Sequence, residues 1–133
     1  KLRGKSGKMG ERILVVGAGQ YGILACLLIE RSELNEMYYV VGIVDDDPNL
    51  QGMRVDGYRI LGTTNQIKTL VEENNIGVIM FAISRINQRD KKRILEICNE
   101  SGAKVVIIPD IIHNIEKQLS HTSAEIHEQS LAE

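Results

Sequence analysis

The feature of the sequence that most constrains the fold is a glycine pattern directly after an apolar run. The β-branched segment 12–16 is followed by Gly17-Ala18-Gly19-Gln20-Tyr21-Gly22 and then by an apolar stretch of helical length, 20–32. In such a pattern the first glycine permits a tight strand-to-helix turn, the second lets a ligand approach the backbone, and the third brings the helix close to the sheet. Free amides and the helix dipole favour an anion there. The pattern therefore predicts a phosphate-binding βαβ unit.

An acidic residue completes this pattern at the end of the second predicted strand, 39–44. Asp45 lies 23 residues after Gly22, close to the expected spacing of about 20. Its carboxylate would accept hydrogen bonds from ribose hydroxyls and repel a 2′-phosphate, which favours NAD over NADP. Asp46 continues the acidic run. CoA, another adenine nucleotide or a nucleotide sugar would use the same elements, and a turn needed only for packing is the alternative.

The remaining chain alternates predicted strands and helices. Strands are predicted at 78–83 and 104–108, helices from Thr63-Thr64 onward, at 87–100 and between Ile111 and Leu119, and a hairpin at Asp56-Gly57. The chain is 43% apolar but only 4% aromatic, which suits a parallel sheet buried on both faces. The sequence therefore predicts the α/β class, with a Rossmann-like doubly wound parallel sheet in a single three-layer domain.

Length and charge set the domain organisation. The 133 residues suffice for one domain, and we expect a basic flexible lead-in at 1–10, a nucleotide-binding domain at 11–119 and a polar tail at 120–133. The chain begins with Lys and not Met, which we interpret as a piece of a longer protein or a processed start. The longest apolar run, 23–29, is too short to span a membrane. A net charge of −2 gives no case for nucleic-acid binding.

Two further loops should reach the carboxyl ends of the strands, where doubly wound sheets bind ligands. Ser84 can donate to a phosphate or ribose and Arg85 can pair with a phosphate, although a helix cap and a solvated arginine are the alternative. Gly62-Thr63-Thr64 could offer hydroxyls near the adenine, although capping alone explains them better. The cluster 89–93 is interpreted as a solvated helix face, and the run 46–48 as a turn.

No catalytic or metal-binding motif accompanies the predicted cofactor site. None of the four tyrosines is followed by lysine at the fourth position, as a short-chain epimerase or dehydratase requires. The chain has no Gly-x-Ser-x-Gly and no Walker loop, and its three histidines fit no zinc spacing. The two cysteines, Cys26 and Cys98, are predicted to be buried thiols. We therefore expect binding without catalysis from this chain alone.

The order of motifs resembles a known family. Between residues 11 and 112 it runs RILVVGAGQYG, VVGIVDDDP, GYRILGT, VIMFAIS and AKVVIIPD, as in the CoA-binding-like Rossmann domains of bacterial polysaccharide-biosynthesis proteins. Gly17, Gly19 and Gly22 match that family's glycine turn, residues 45–47 its acidic strand end, and Gly62-Thr63 its next loop. Ser84-Arg85 departs from the Pro-Ser common in relatives.

The resemblance implies an accessory or regulatory nucleotide-binding domain. Such domains precede the catalytic module in membrane-bound nucleotide-sugar 4,6-dehydratases/epimerases and occur in polyprenyl-phosphate sugar transferases. Transmembrane helices upstream, a catalytic domain downstream and a cytoplasmic location at the bacterial inner membrane are then expected. The basic lead-in would lie beside the membrane. Three alternatives stay open: an epimerase or dehydrogenase active only with a partner domain, a redox-sensing module, and an interaction or homo-oligomerisation module.

Overall fold

Six strands and three complete helices form the described part of the chain. A computed structural model describes residues 10–109 and 113–121. The strands are β1 (Glu11–Val16), β2 (Tyr38–Val44), β3 (Arg54–Val55), β4 (Tyr58–Gly62), β5 (Val78–Phe81) and β6 (Lys104–Ile107), and the helices are α1 (Gln20–Arg31), α2 (Ile67–Asn74) and α3 (Gln88–Glu100). Residues 113–121 are also helical.

The strands form one sheet in the order β3-β4-β2-β1-β5-β6. From the central β1 the chain builds outward through β2 to β4, and then returns to the other side of β1 with β5 and β6. All of these neighbours pair in parallel, whereas the edge strand β3 pairs with β4 antiparallel. The predicted doubly wound α/β fold is therefore confirmed, and its strand order reverses at the carboxyl end of β1.

Alternate residues of β1 belong to two separate cores, one on each face of the sheet. Ile13 and Val15 pack with buried residues of α1. Leu14 and Val16 pack with buried residues of α2 and α3. A strand with buried side chains on both faces needs a continuous apolar sequence, which explains the aliphatic composition. The predicted three-layer arrangement follows from these two cores.

The outermost parallel strand departs from the expectation that all long strands are buried. Every side chain of β6 is at least partly exposed, and Ile107 keeps 52% of its surface accessible. As an edge strand it pairs only with β5 among the described residues. The helical segment 113–121 includes two residues predicted to belong to the polar tail, while Ile111 and residues 1–9 of the lead-in lie outside the described residues.

No helix within residues 10–109 or 113–121 combines the length and hydrophobicity needed to cross a bilayer. The two cysteines are buried thiols, as predicted. Cys26 packs in the core on the α1 face and Cys98 in the core on the opposite face. Burial raises the pKa of Cys26 to about 12 and that of Cys98 to about 11, so both remain protonated at neutral pH.

The predicted hairpin joins β3 to β4 and is tied to α1. Asp56 and Gly57 have φ values of 51° and 88°, the left-handed pair that a tight two-residue hairpin turn requires. At the start of β4, the buried Tyr58 hydroxyl donates a hydrogen bond of 2.8 Å to Glu30 Oε1 on α1. The hairpin edge of the sheet is thereby attached to the helix of the glycine turn.

Replacing Tyr58 by phenylalanine is expected to destabilise the fold modestly. The ring stays packed, but the hydrogen bond from the hydroxyl to Glu30 is lost. The cost is limited to about 1 kcal/mol of unfolding free energy, because the exposed carboxylate regains a hydrogen bond from water. Thermal denaturation should show a melting temperature roughly 3 °C lower. Glu30→Gln, which keeps an acceptor oxygen, should lose less. Equal stability of Tyr58→Phe and the unaltered chain would contradict this role for the hydroxyl.

Candidate functional site

The glycine turn lies where the sheet order reverses. Gly17 has a φ of +111°, and its amide donates to the carbonyl of Val44 at 2.9 Å. Helix α1 begins directly after Gly19, where a side chain would face open space, since a Cβ placed there would have nothing within 4 Å. At Gly22, by contrast, a Cβ would overlap the Gly17 carbonyl oxygen. The turn is therefore closed on its inner side and open towards the solvent.

The carboxylate of Asp45 is fixed beside this turn by backbone amides. Its Oδ2 accepts from the amide of Ala18 at 2.8 Å, and its Oδ1 accepts from the amide of Asp47 at 2.9 Å. The Asp45 amide donates to the Gly62 carbonyl at 3.0 Å. Each carboxylate oxygen has further lone pairs, so Asp45 can still accept hydrogen bonds from a ligand.

Asp46 joins the end of β2 to the loop after β4. Its Oδ1 accepts from the Thr64 amide at 2.7 Å, and its Oδ2 accepts from the Thr64 hydroxyl at 2.9 Å. Across the crevice, Arg93 Nη2 of α3 lies 3.7 Å from Asp46 Oδ2. Asp47 accepts from the amide of Asn49 at 2.9 Å. These bonds support the interpretation of the acidic run as a turn.

These groups line a cavity of about 620 Å³ at the carboxyl ends of β1, β2 and β5. This volume lies within the range of small-molecule and cofactor sites. The lining combines the glycine turn, the two aspartates, Thr64, the loop after β5, one face of α3 and the segment 113–121. It consists of Gly17, Gly19, Gln20, Tyr21, Val44, Asp45, Asp46, Thr64, Ala82, Ile83, Ser84, Arg85, Ile86, Asp90, Arg93, Ile94, His113 and Glu116.

Eight of the twelve residues predicted from the sequence line this cavity, and four do not. Ala18 points its amide at Asp45, and Gly22 packs against the turn. Gly62 is buried as the last residue of β4, and Thr63 caps the following turn, its amide bonded to Gln66 Oε1 at 2.8 Å. Thr64, the last residue of the predicted Gly62-Thr63-Thr64 loop, lines the cavity.

The contributions of α3 and of the segment 113–121 are not predicted from the sequence. The charge pattern assigns Asp90 and Arg93 to a solvated helix face, yet both line the cavity. The signal that identifies them is helical phase, because Asp90 lies one turn before the buried Ile94 and Arg93 directly precedes it. His113 and Glu116 have no such signal, since their position depends on the path of the chain after β6.

Charge is divided unevenly around the cavity. Asp45, Asp46, Asp90 and Glu116 oppose the cations Arg85 and Arg93. The open amide end of α1 adds partial positive charge at the glycine turn. No group of three acidic, histidine or cysteine side chains suited to a metal ion occurs in the described part of the chain. The arrangement suits a ligand with phosphates at the turn and hydroxyl groups at the aspartates.

Comparison with known protein families gives a match over most of the chain. The sequence profile of the CoA-binding domain family matches residues 2–109. A capsular polysaccharide biosynthesis protein, CapD of Staphylococcus aureus, is 35% identical over 99 residues. That match covers 74% of this chain but only 16% of the relative, so the chain spans about a sixth of its length.

Solved structures share the fold at low sequence identity. UDP-D-quinovosamine 4-dehydrogenase from Vibrio fischeri superposes with a TM-score of 0.71 at 19% identity, covering 82% of this chain and 86% of that one. RSP, a Rex-family repressor, has been solved with NAD⁺ and operator DNA. That complex gives a TM-score of 0.63 at 15% identity, covering 92% of this chain and 59% of the repressor. These likenesses confirm the Rossmann-like fold.

Proposed function

The chain belongs to the CoA-binding domain family, and on this premise we propose that it is a nucleotide-binding domain that prefers NAD and carries out no catalysis alone. The observation that carries the proposal is the Asp45 carboxylate held beside an open glycine turn. A pyrophosphate would lie against the amides at Gly19 and the start of α1. The ribose hydroxyls would then donate to Asp45.

The acidic end of the cavity supports NAD over CoA. The adenosine ribose of CoA carries a 3′-phosphate, and that of NADP a 2′-phosphate. Either phosphate would lie beside Asp45 and Asp46, where two carboxylates repel it. NAD offers only hydroxyl groups there. Ser84 and Arg85 remain proposed ligand contacts on the opposite loop, with Gln20 and Tyr21 at the start of α1.

Among the described residues that line the cavity, there is no tyrosine–lysine pair of the kind that nucleotide-sugar epimerisation uses as acid and base. Tyr21 is the tyrosine in this lining, and no lysine accompanies it there. This supports a regulatory or accessory role for the chain within a larger protein. By analogy with CapD, we infer that this protein is a nucleotide-sugar dehydratase/epimerase-like enzyme or a sugar-phosphate transferase of polysaccharide biosynthesis, located at the cytoplasmic face of a bacterial inner membrane.

Isothermal titration calorimetry of the purified chain tests the ligand. We expect NAD to bind, and CoA and NADP to bind at least about 10-fold more weakly, because each adds a phosphate facing two carboxylates. Dephospho-CoA is the matched control, since it lacks only the ribose phosphate and should bind more tightly than CoA. Preferential binding of CoA would contradict the NAD proposal, and no binding by any nucleotide or UDP-sugar would contradict nucleotide binding itself.

Redox sensing is a second candidate, favoured by the fold shared with RSP, which has been solved with both NAD⁺ and NADH. In that case the two oxidation states would bind with different affinities. The same calorimeter distinguishes the candidates, because a difference between NADH and NAD⁺ supports sensing and equal affinities contradict it.

A further inference from the structure

We propose that Arg93 is a specificity-determining residue, and that its pairing with Asp46 withholds it from phosphate groups on the ribose of a bound nucleotide. The inference rests on the proposed function, in which the ribose lies beside Asp45. It identifies which residues exclude ribose phosphates and how that exclusion could be reversed.

The pairing of Arg93 is weak and exchangeable. Its guanidinium lies 3.7 Å from Asp46 Oδ2 and 3.9 Å from Asp90 Oδ1, both longer than a good hydrogen bond of roughly 2.7–3.2 Å. The side chains of all three residues are close to half exposed. Such solvated ion pairs contribute little stability, so Arg93 can change partner at small cost.

Asp46, in contrast, is anchored. Its carboxylate accepts bonds from both the amide and the hydroxyl of Thr64, at 2.7 and 2.9 Å. Thr64 is itself buried, with 2% of its surface exposed. The negative charge therefore stays at the cavity wall, while the arginine on the facing helix is the partner that can move.

The charges of Asp46 and Arg93 together determine whether a ribose phosphate is repelled or attracted at this wall of the cavity. With Asp46 charged, Arg93 is partly neutralised and Asp45 adds a second carboxylate to the same wall. Neutralising Asp46 would leave one carboxylate and an arginine free to form a charge-assisted pair with the phosphate. Arg93 would then bind the ribose phosphate of nucleotides such as NADP, which the unaltered cavity repels.

Asp46→Asn and Arg93→Ala test this with the ratio of dissociation constants for NADP and NAD, measured by calorimetry at low ionic strength. Asparagine retains an acceptor oxygen for Thr64 and removes the charge. We expect Asp46→Asn to lower the ratio roughly 10-fold, and Arg93→Ala to raise it several-fold. In the double variant only the part of the gain that comes from removing the Asp46 charge should remain, so its ratio should lie above that of Asp46→Asn alone. CoA and dephospho-CoA provide a second pair of ligands with the same expected pattern.

Arg89→Ala is the matched control, because it removes one arginine from the same helix outside the cavity lining and should leave the ratio unchanged. A double variant that accepts NADP as well as Asp46→Asn does would overturn the role of Arg93. An unchanged ratio in Arg93→Ala would also overturn this role. Because the Arg93 side chain is exposed, its loss should not cause misfolding. If the unaltered chain binds no NAD at all, the proposed function itself fails.

Discussion

Gly19→Ala is expected to abolish most of the affinity for NAD while leaving the fold intact. The backbone of Gly19 has φ −79° and ψ −164°, which alanine adopts readily, and its Cβ would meet nothing within 4 Å. That empty space is where a pyrophosphate would approach the backbone. We expect a loss of roughly 100-fold, equivalent to about 2.7 kcal/mol of binding free energy.

Calorimetry with NAD and thermal denaturation of the same samples check both halves of this expectation. The melting temperature should fall by no more than a few degrees, because a helix cap changed from glycine to alanine costs well under about 2 kcal/mol. If the Gly19→Ala chain binds NAD as tightly as the unaltered chain, the proposed phosphate site at Gly19 is contradicted. It would also favour a role for this sheet as an interaction or oligomerisation module.

Gly22→Ala should have the opposite profile and the largest effect on stability. A methyl group at position 22 would overlap the carbonyl oxygen of Gly17, and neither atom is on a flexible side chain. The turn and the first part of α1 would have to separate from β1, where Val15 also lies near the added atom. We expect the free energy of unfolding to fall by about 3 kcal/mol or more.

Urea denaturation measures this loss directly, and a melting temperature lowered by roughly 10 °C would accompany it. Gly19→Ala is the matched control, since it adds the same methyl group three residues earlier on the same turn. If Gly22→Ala proved as stable as Gly19→Ala, the close packing of α1 on the turn would not be required. The pair of variants therefore separates the folding role of one glycine from the binding role of the other.

The parts of the site that are local in sequence can be predicted, and the parts assembled by packing cannot. The glycine turn and Asp45 belong to one βαβ unit, so their spacing along the chain indicates their proximity in space. Of the predicted loop Gly62-Thr63-Thr64, Thr64 lines the cavity, whereas Gly62 ends β4 and Thr63 caps the following turn. Arg93 depends on which face α3 turns to the sheet, a choice made by the buried residues Ile94 and Cys98.

The fold itself is predictable because its strands are continuous apolar runs separated by clear helix and turn signals. Periodicity alone does not indicate which strand lies at an edge. An apolar run indicates that a strand forms, but it does not indicate which strands pair with it. The side chains of β6 are exposed because β6 lies at the edge of the sheet. The same limit applies to His113 and Glu116, whose place in the cavity depends on the path after β6.

The position of Tyr21 gives the cavity its own optical probe. The chain has four tyrosines and no tryptophan, so its ultraviolet emission comes mainly from tyrosine. Of these four, all within the described residues, Tyr21 lines the cavity, whereas Tyr38 and Tyr39 lie at the far end of β2 and Tyr58 is bonded to Glu30. A bound dinucleotide would quench the emission of Tyr21, one of the four tyrosines. The Tyr21→Phe variant would show how much of the total emission comes from Tyr21. The fraction of chains with bound dinucleotide can therefore be followed without a label.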